Sequence, residues 1–276
     1  MTDLYQVTGN PVGHSLSPRI HTAFAQQCKQ DLVYRALQLE SEEFTETMEQ
    51  LLRSGEIKGS NVTVPHKELA WDLAQQRSEA AELAGAVNTL FVSAAGEICG
   101  DNTDGSGLVA DLTNNQGFKL EGARILLLGA GGAVRGVILP LLTAGVSELV
   151  LANRTLAKAE ALKELFDDER IVVSRFEEVP APAYDLIVNG TAASLAGDLP
   201  PVPESAVGTE TLAYDMMYSA KKTPFCAWAE SLGARSVDGL GMLVEQAADA
   251  FCIWRGVRPQ TADLLAELNA ELHQTS

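Results

Sequence analysis

The chain has 276 residues, with 20 lysines and arginines against 37 aspartates and glutamates, which gives a formal net charge of -17 at pH 7. Hydrophobic residues make up 46% of the sequence and charged residues 21%, a composition that excludes wholesale disorder. The length corresponds to one large domain or two ordinary ones. The negative charge repels nucleic-acid backbones and anionic membrane surfaces, so we expect neither as a partner.

Neither a secretion signal nor a membrane span is expected. The first residues, MTDLYQVTGNP, lack a basic segment followed by an apolar one, and the most apolar stretch, residues 125–146, is interrupted by an arginine and by glycines. The cysteines Cys28, Cys99, Cys226 and Cys252 form no C-x-x-C pair, so the sequence suggests neither a zinc site nor a disulfide framework. We therefore expect a cytoplasmic protein that holds no metal.

The N-terminal part of the chain alternates between strand and helix patterns. Runs rich in β-formers at residues 32–39, 59–64 and 89–92 are interleaved with helical patterns at residues 18–28, 42–53 and 79–83. Ser17 and Pro18 indicate a helix start, because serine can cap free N–H groups and proline fits the first helical turn. The alternation predicts an α/β unit with a mainly parallel sheet.

A second α/β series begins at Arg124. The strand-like ILLLG is followed by glycines and an apolar helix to Ala144, then by the strand ELVLA, a helix from Thr155 and the strand YDLIVN. Between the two series, the turn-rich DNTDGSG at residues 101–107 precedes a new helix at residues 108–112. This arrangement predicts a nucleotide-binding fold in the second half, with a domain boundary before it.

The C-terminal helices can belong to either half of this scheme. From Leu240 onward, apolar residues recur at helical spacing, and Gln246 falls roughly opposite them. The apolar positions are Leu243, Val244, Ala247, Ala248 and Phe251. A dinucleotide-binding domain would already be nearly complete by Val237, so these helices can pack back on the first domain and make it discontinuous. Spacing alone leaves both arrangements open.

A glycine-rich loop connects the first strand of the second series to its helix. The loop consists of Gly129, Ala130, Gly131, Gly132 and Ala133. The first glycine allows a tight turn, Gly131 allows a pyrophosphate to approach the backbone, and the helix N-terminus offers N–H donors. Val134 occupies the place of the third glycine of the usual pattern. Glycines at such a turn can also serve only close packing, so the loop alone is weak evidence.

The end of the next strand indicates which dinucleotide would bind. NAD sites usually place a carboxylate there, about 20 residues after the loop, to bond the ribose 2′-hydroxyl. Here the chain has Asn153, Arg154 and Thr155 instead. A guanidinium can pair bidentately with a 2′-phosphate, so the sequence favours NADP over NAD, unless Arg154 is an ordinary surface arginine.

Four segments are unusually polar for an α/β core: HSLSP (14–18), NVTVPHK (61–67), AVNT (86–89) and DNTDG (101–105). Their Asn, Thr and Ser groups suit a small polyhydroxylated ligand, because each hydroxyl needs a partner once it leaves water. Turn and cap chemistry explains any one segment taken alone. Lys67 and Asp104 can together polarise a carbonyl or exchange a proton with an alcohol, with an ordinary exposed salt bridge as the alternative.

The motifs GNPVGHSLSP, NVTVPHK, GAVNT, GDNTDG, GAGGA, NRT, YDMMYS and DGLGMLVEQAA follow one another over nearly the whole chain. In this the sequence resembles the shikimate dehydrogenase family. The resemblance implies NADP-dependent, reversible reduction of 3-dehydroshikimate to shikimate in aromatic amino-acid biosynthesis. It also implies a two-domain α/β fold, with a discontinuous substrate-binding α/β domain (1–104 and 240–276) and a Rossmann-like NADP-binding domain with a parallel sheet (105–239).

The same resemblance implies roles for individual residues. Lys67 and Asp104 become the catalytic pair and also contact the substrate. The other substrate contacts are Ser15, Ser17 and Tyr218 near the carboxylate, and Asn61, Thr63, Asn88 and Gln246 with Asp104 around the ring hydroxyls. The cofactor contacts are the 129–133 loop, Asn153, Arg154 and Thr155, with Thr191, Met216 and Gly239 at the nicotinamide end. Gly190 and Ala192 depart from the bulkier residues expected there.

Three alternatives stay open at this point. A quinate/shikimate dehydrogenase that uses NAD is disfavoured by the NRT triplet, and a non-catalytic dinucleotide sensor would not require Lys67 or Asp104. A protein-binding module with an acidic surface would not depend on NADP at all, and such a charge more commonly reflects solubility. The length suits a monomer and a homodimer equally well.

Overall fold

The computed structural model describes residues 2–191, 193 and 198–274 and divides into two compact units. The first unit contains the chain up to Gly107 together with Leu243–Leu264, and the second contains Leu108–Met242 and the residues from Leu265 onward. The first unit is therefore built from two separate chain segments. The residues from Leu265 onward group with the second unit, whereas the predicted division put 240–276 with the first.

The first unit contains a six-stranded sheet. Its strands are β1 (Asp3–Gly9), β2 (Leu32–Gln38), β3 (Gly59–Val62), β4 (Gln76–Arg77), β5 (Thr89–Val92) and β6 (Ile98–Asp101), in the order β2-β1-β3-β5-β6-β4. β1 pairs in parallel with β2 and β3, while β5 pairs antiparallel with β3 and β6. Gly96, with φ +83°, makes the tight β5–β6 turn possible. The sheet is thus mixed, because a short hairpin interrupts the strand–helix alternation.

Five helices connect these strands and lead into the second unit: α1 (Ser17–Gln27), α2 (Ser41–Arg53), α3 (Lys67–Leu73), α4 (Glu79–Ala84) and α5 (Asp104–Ala110). In α2, the residues Phe44, Met48 and Leu52 recur every fourth position and are almost completely buried. Each such side chain contributes about 1.5–3 kcal/mol of burial energy. α5 continues into a π-helical turn at Asp111–Asn115.

The second unit contains six parallel strands. They are β7 (Arg124–Leu128), β8 (Glu148–Ala152), β9 (Ile171–Ser174), β10 (Leu186–Asn189), β11 (Leu212–Asp215) and β12 (Arg235–Val237), in the order β12-β11-β10-β7-β8-β9. Three helices, α6 (Gly132–Thr143), α7 (Leu156–Phe166) and α8 (Pro224–Ser231), belong to the same series. The strand order reverses between β7 and β10, which is the switch point where dinucleotides bind in this fold. The predicted Rossmann-like domain is confirmed.

The C-terminal helices are α9 (Leu240–Arg255) and α10 (Ala262–Gln274). Gln246, expected opposite the apolar face of α9, is buried and only 9% exposed. The polar side of α9 is enclosed as well: Glu245 is also buried, and it accepts hydrogen bonds from Arg258 and Thr261. No helix in the part of the chain that the structure describes combines the length and apolar composition needed to cross a bilayer.

Candidate active site and dinucleotide-binding loop

The predicted catalytic pair forms a direct ion pair in the first unit. Lys67 is the first residue of α3 and Asp104 the first residue of α5. Lys67 Nζ donates to Asp104 Oδ2 at 2.5 Å, and the two side chains are 27% and 14% exposed, so a ligand can reach both. Asp104 Oδ1 accepts a second hydrogen bond from Asn88 Nδ2 at 2.9 Å. Both carboxylate oxygens are therefore held in place.

Asn88 and Gln246 meet beside this pair, and Thr103 joins them. Asn88 Nδ2 lies 3.3 Å from Gln246 Oε1, and Asn88 Oδ1 accepts the Thr103 N–H at 3.0 Å. The Thr103 hydroxyl donates to the Gln246 backbone carbonyl at 3.0 Å. Thr103 was not among the predicted site residues, although it lies in the DNTDG motif, which was recognised as unusually polar.

Asn61 lies next to this cluster with its amide already bonded inside the protein. Its Oδ1 accepts from the Tyr34 hydroxyl at 2.7 Å, and its Nδ2 lies 3.2 Å from both the Asn88 carbonyl and Thr89 Oγ1. These contacts make Asn61 part of the frame behind Asn88. Thr63 follows the end of β3 and is half-buried, and its backbone N–H donates to the Thr8 carbonyl at 2.9 Å.

Ser15 and Ser17 form a hydroxyl pair at the start of α1. The helix begins at Ser17, and the N-cap residue is Leu16, so the expected Ser17 cap is not formed. Instead, Ser15 Oγ accepts the Ser17 N–H and donates to Ser17 Oγ, both at 3.2 Å. The helix thus starts one residue earlier than a Ser17 cap would require: the Ile20 N–H donates to the Leu16 carbonyl at 3.0 Å, which makes Ser17 the first helical residue.

An aromatic stack lies behind Asn61. The ring of His21 stacks on Tyr34 at a centroid distance of 4.2 Å and an interplanar angle of 3°. Burial lowers the pKa of His21 to about 3, against a smaller opposing effect of the Asn61 side chain. The imidazole is therefore neutral at physiological pH, and the stack behaves as an apolar support for Tyr34.

In the second unit, the glycine-rich loop connects β7 to α6 and leaves room for a ligand. Gly129 has φ +110°, a conformation that favours glycine, and α6 begins with Gly131 at its N-cap. A methyl group at Gly131 or Gly132 would meet no atom of the described chain within 4 Å. The loop therefore leaves open space at the positive end of a twelve-residue helix, where a pyrophosphate fits.

Val134, which occupies the place of the third glycine of the loop pattern, lies against Gly190, one of the two residues that depart from those expected in the family. Val134 is completely buried, and its Cγ2 occupies the space that a Cβ at Gly190 would need. The missing third glycine is thus accommodated by a glycine at the end of β10. Ala192, the other departure, lies outside the described residues.

The residues predicted to contact the ribose of the cofactor directly follow β8. Asn153 Nδ2 donates to the Thr155 carbonyl at 2.8 Å, which closes the turn, and Thr155 is the N-cap residue of α7. Arg154, between them, is exposed. An exposed guanidinium after the carboxyl end of β8 is the kind of group that pairs with a phosphate.

Thr191, Met216 and Gly239 are connected at the carboxyl ends of β10 and β11. The Thr191 hydroxyl donates to Asn189 Oδ1 at 2.7 Å, and the Met216 N–H donates to the Asn189 carbonyl at 2.9 Å. A Cβ at Gly239 would overlap the Met216 backbone, so only glycine allows this approach. Asn189 was not predicted as a site residue. Tyr218, two residues beyond Met216, is half-buried, and burial raises the pKa of its phenol.

Three family models match the chain. Residues 7–90 match the shikimate dehydrogenase substrate binding domain, residues 111–196 match shikimate / quinate 5-dehydrogenase, and residues 239–268 match the shikimate 5'-dehydrogenase C-terminal domain. The matches cover both units of the structure.

Individual relatives are similar over their full lengths. A shikimate dehydrogenase (NADP(+)) of Hahella chejuensis is 54% identical, with 96% of this chain and 98% of the relative covered. One of Marinobacter nauticus is 52% identical, over 98% of this chain and 99% of the relative.

Solved structures agree with these relatives. An Ael1 enzyme from Pseudomonas putida matches with a TM-score of 0.93 and 48% identity, over 96% of this chain and 98% of that one. Shikimate 5-dehydrogenase from Thermus thermophilus, solved with NADP(H) and shikimate, matches with a TM-score of 0.85 and 32% identity, over 98% of this chain and 99% of that one.

Proposed function

Because the chain belongs to the shikimate dehydrogenase family and catalyses the NADP-dependent, reversible reduction of 3-dehydroshikimate to shikimate, we propose that Lys67 and Asp104 handle the proton of this reaction. The observation that carries the proposal is the 2.5 Å ion pair between two side chains that both remain partly exposed. A fully buried ion pair with a structural role would be closed to a ligand. An ordinary surface ion pair would lack the hydrogen bond that Asn88 donates to the second carboxylate oxygen of Asp104.

The chemistry assigns different tasks to the two residues. Bound NADPH supplies the hydride that reduces the carbonyl carbon of 3-dehydroshikimate. As the carbonyl π bond breaks, the Lys67 ammonium gives a proton to the oxygen, which becomes the hydroxyl of shikimate. Asp104 accepts a hydrogen bond from the Lys67 ammonium group and orients it. Solvent returns the proton to Lys67 after turnover, and the oxidation of shikimate runs the same steps in reverse.

The polar groups around the pair account for recognition of a polyhydroxylated ring. Asn88, Gln246 and Thr63 offer amide and hydroxyl groups to the ring hydroxyls, each of which needs a partner once water is excluded. Asn61 has its amide engaged with Tyr34 and the Asn88 backbone, so its contribution is mainly to hold Asn88. Asp104 accepts from a ring hydroxyl beside its bond to Lys67.

The substrate carboxylate is assigned to Ser15 and Ser17. Their hydroxyls lie at the N-terminus of an eleven-residue helix, whose dipole favours an anion. This local positive potential matters in a chain with a net charge of -17, which repels anions overall.

The residues that we propose to contact NADP belong to the second unit. The loop from Gly129 to Ala133 binds the pyrophosphate, while Asn153, Arg154 and Thr155 contact the adenosine ribose, with the guanidinium on the 2′-phosphate. Thr191, Met216 and Gly239 line the nicotinamide end. The open space at Gly131 and the exposed guanidinium at the end of β8 support this assignment.

The state of the cysteines bears on where the reaction takes place. Cys28, Cys99, Cys226 and Cys252 are all free thiols, as in a reducing environment, so we place the enzyme in the cytoplasm, as a monomer or a homodimer. Shikimate and 3-dehydroshikimate are its small-molecule partners, and we expect neither nucleic acid nor a membrane among them.

The experiment compares wild type, Lys67→Ala and a Lys58→Ala control, which removes an exposed lysine of the same unit. Shikimate oxidation is followed by the absorbance of the reduced cofactor with NADP and with NAD. Lys67→Ala should lower kcat by about 10²–10⁴-fold while cofactor binding persists, and Lys58→Ala should match wild type. A Lys67→Ala enzyme with wild-type kcat would exclude lysine as the proton donor. Preference for quinate and NAD would instead support the NAD-using alternative.

A further inference from the structure

Asn102 lies between the end of β6 and the start of α5 and is only 4% exposed. Its side-chain amide makes two hydrogen bonds to backbone groups of different segments. Nδ2 donates to the Ala86 carbonyl at 3.0 Å, and Oδ1 accepts the Asp104 N–H at 3.1 Å. One amide thus joins the segment that leads to Asn88 with the first residue of α5.

We propose that Asn102 is a positioning residue for the reaction, which holds the Asp104 backbone and the segment of Ala86 to Asn88 at a fixed separation. The proposal rests on the proposed role of Lys67 and Asp104. Because Asn102 is enclosed by protein, it acts through these two segments and makes no contact with the reactants.

Both bonds require an amide in one orientation. A backbone N–H can only donate and a backbone carbonyl can only accept, so the side chain must present an oxygen to Asp104 and an N–H to Ala86. Aspartate keeps the acceptor but has no donor for Ala86, and it would set a carboxylate against a carbonyl. Alanine loses both bonds. Asparagine alone among residues of this size satisfies both backbone groups.

The separation matters because Asp104 is held by two partners at once. Its Oδ2 accepts from Lys67 and its Oδ1 accepts from Asn88, at 2.5 and 2.9 Å. A shift of the α5 start relative to Asn88 lengthens at least one of these bonds. Misplacement of a catalytic group by about 1 Å can cost about 10²-fold in rate.

The test compares wild type, Asn102→Ala and Thr8→Val. Thr8 is also completely buried in the first unit, and its hydroxyl lies 3.1 Å from the Ser60 hydroxyl. Valine removes this contact but keeps the backbone carbonyl that accepts the Thr63 N–H. For each protein, kcat and the KM values for shikimate and NADP are measured, together with the free energy of unfolding in urea. Asn102→Ala should lower kcat about tenfold or more with the KM for NADP within about twofold, since the cofactor residues belong to the second unit.

Thr8→Val should lose stability without losing kcat. The inference is overturned if Asn102→Ala retains wild-type kcat, or if Thr8→Val lowers kcat to the same extent. If Asn102→Ala does not fold, Asn102→Ser, which keeps an acceptor for Asp104 but shortens the reach to Ala86, replaces it.

A second measurement separates positioning from general damage. In an Asp104→Asn background, Asn102→Ala should lower the residual rate much less than in wild type, because the group that it positions has already been replaced. Equal losses in both backgrounds would point to a structural role only. Absence of shikimate turnover by wild type would instead remove the proposed function itself, so the two failures are distinguishable.

Discussion

Cγ2 of Val134 fills the space that a side chain at Gly190 would occupy. Val134 lies on the first turn of α6 and Gly190 follows β10, so the contact joins the helix after the glycine-rich loop to the end of the neighbouring strand. A Cβ at position 190 would also lie only 3.1 Å from the sulfur of Met216. Val134, in the place of the third glycine, and Gly190, which departs from the residue expected in the family, are therefore one compensated pair.

Gly190→Ala should destabilise the protein because the new methyl group overlaps Val134. Overpacking of this kind typically costs about 1–3 kcal/mol. In a Val134→Ala background the same change should cost much less, since the opposing methyl groups are gone. Urea unfolding of wild type, both single variants and the double variant measures the coupling. Additive effects, within about 0.5 kcal/mol, would contradict the compensation.

The local parts of the cofactor site could be predicted from sequence. The 129–133 loop and the turn from Asn153 to Thr155 each lie within one strand–loop–helix unit, so neighbouring residues determine their shape. The parallel sheet of the second unit could be predicted from the alternation of strands and helices, whereas its strand order came from the structure.

Contacts between distant segments could not be predicted in this way. The Thr103 hydroxyl meets the Gln246 carbonyl across 143 positions of the chain, and Tyr34 meets Asn61 across 27. Helical spacing put Gln246 opposite the apolar face of α9 but could not show that this side is buried too, because periodicity identifies an apolar stripe and not the polar partners that enclose the opposite side. The role of Asn102 depends on two backbone groups, which leave no signature in side-chain patterns.

Gly131→Ala should separate cofactor binding from stability. Gly131 has φ -90° and ψ -178°, an extended conformation that any residue adopts, and the added methyl group meets no described atom within 4 Å. The free energy of unfolding should therefore stay within about 0.5 kcal/mol of wild type. The KM for NADP should rise about tenfold or more, because the methyl group enters the space of the pyrophosphate.

Steady-state kinetics with each substrate varied in turn tests this expectation. The KM for shikimate serves as the internal control, since Ser15, Ser17 and Lys67 belong to the first unit. An unchanged KM for NADP would mean that the pyrophosphate does not approach Gly131.

His21 should make the protein less stable in mild acid. Its pKa is about 3 in the folded protein against 6.5 for an ordinary histidine, so between these values the unfolded chain binds a proton that the folded protein does not. The free energy of unfolding then falls as the pH drops below 6.5, by about 1.4 kcal/mol per pH unit, and this loss is absent above pH 6.5.

The contribution of His21 to the free energy of unfolding is measured by urea unfolding of wild type and variants at a series of pH values. His21→Phe keeps an aromatic ring against Tyr34 but cannot titrate, so its stability relative to wild type should improve by about 2 kcal/mol between pH 7.5 and pH 5. His14→Gln, at an exposed histidine, should run parallel to wild type. Parallel curves for His21→Phe as well would show that His21 does not have a depressed pKa.

Arg154 should determine the choice between NADP and NAD. A charge-assisted bond to the 2′-phosphate is worth about 1.5–3 kcal/mol, so Arg154→Gln should raise the KM for NADP by about 10–100-fold. The KM for NAD should change little, because NAD has no 2′-phosphate. Lys119→Gln, at an exposed lysine of the same unit, is the matched control and should leave both values unchanged. An equal rise for both cofactors would mean that Arg154 contacts the adenine or the pyrophosphate and does not read the phosphate that distinguishes them.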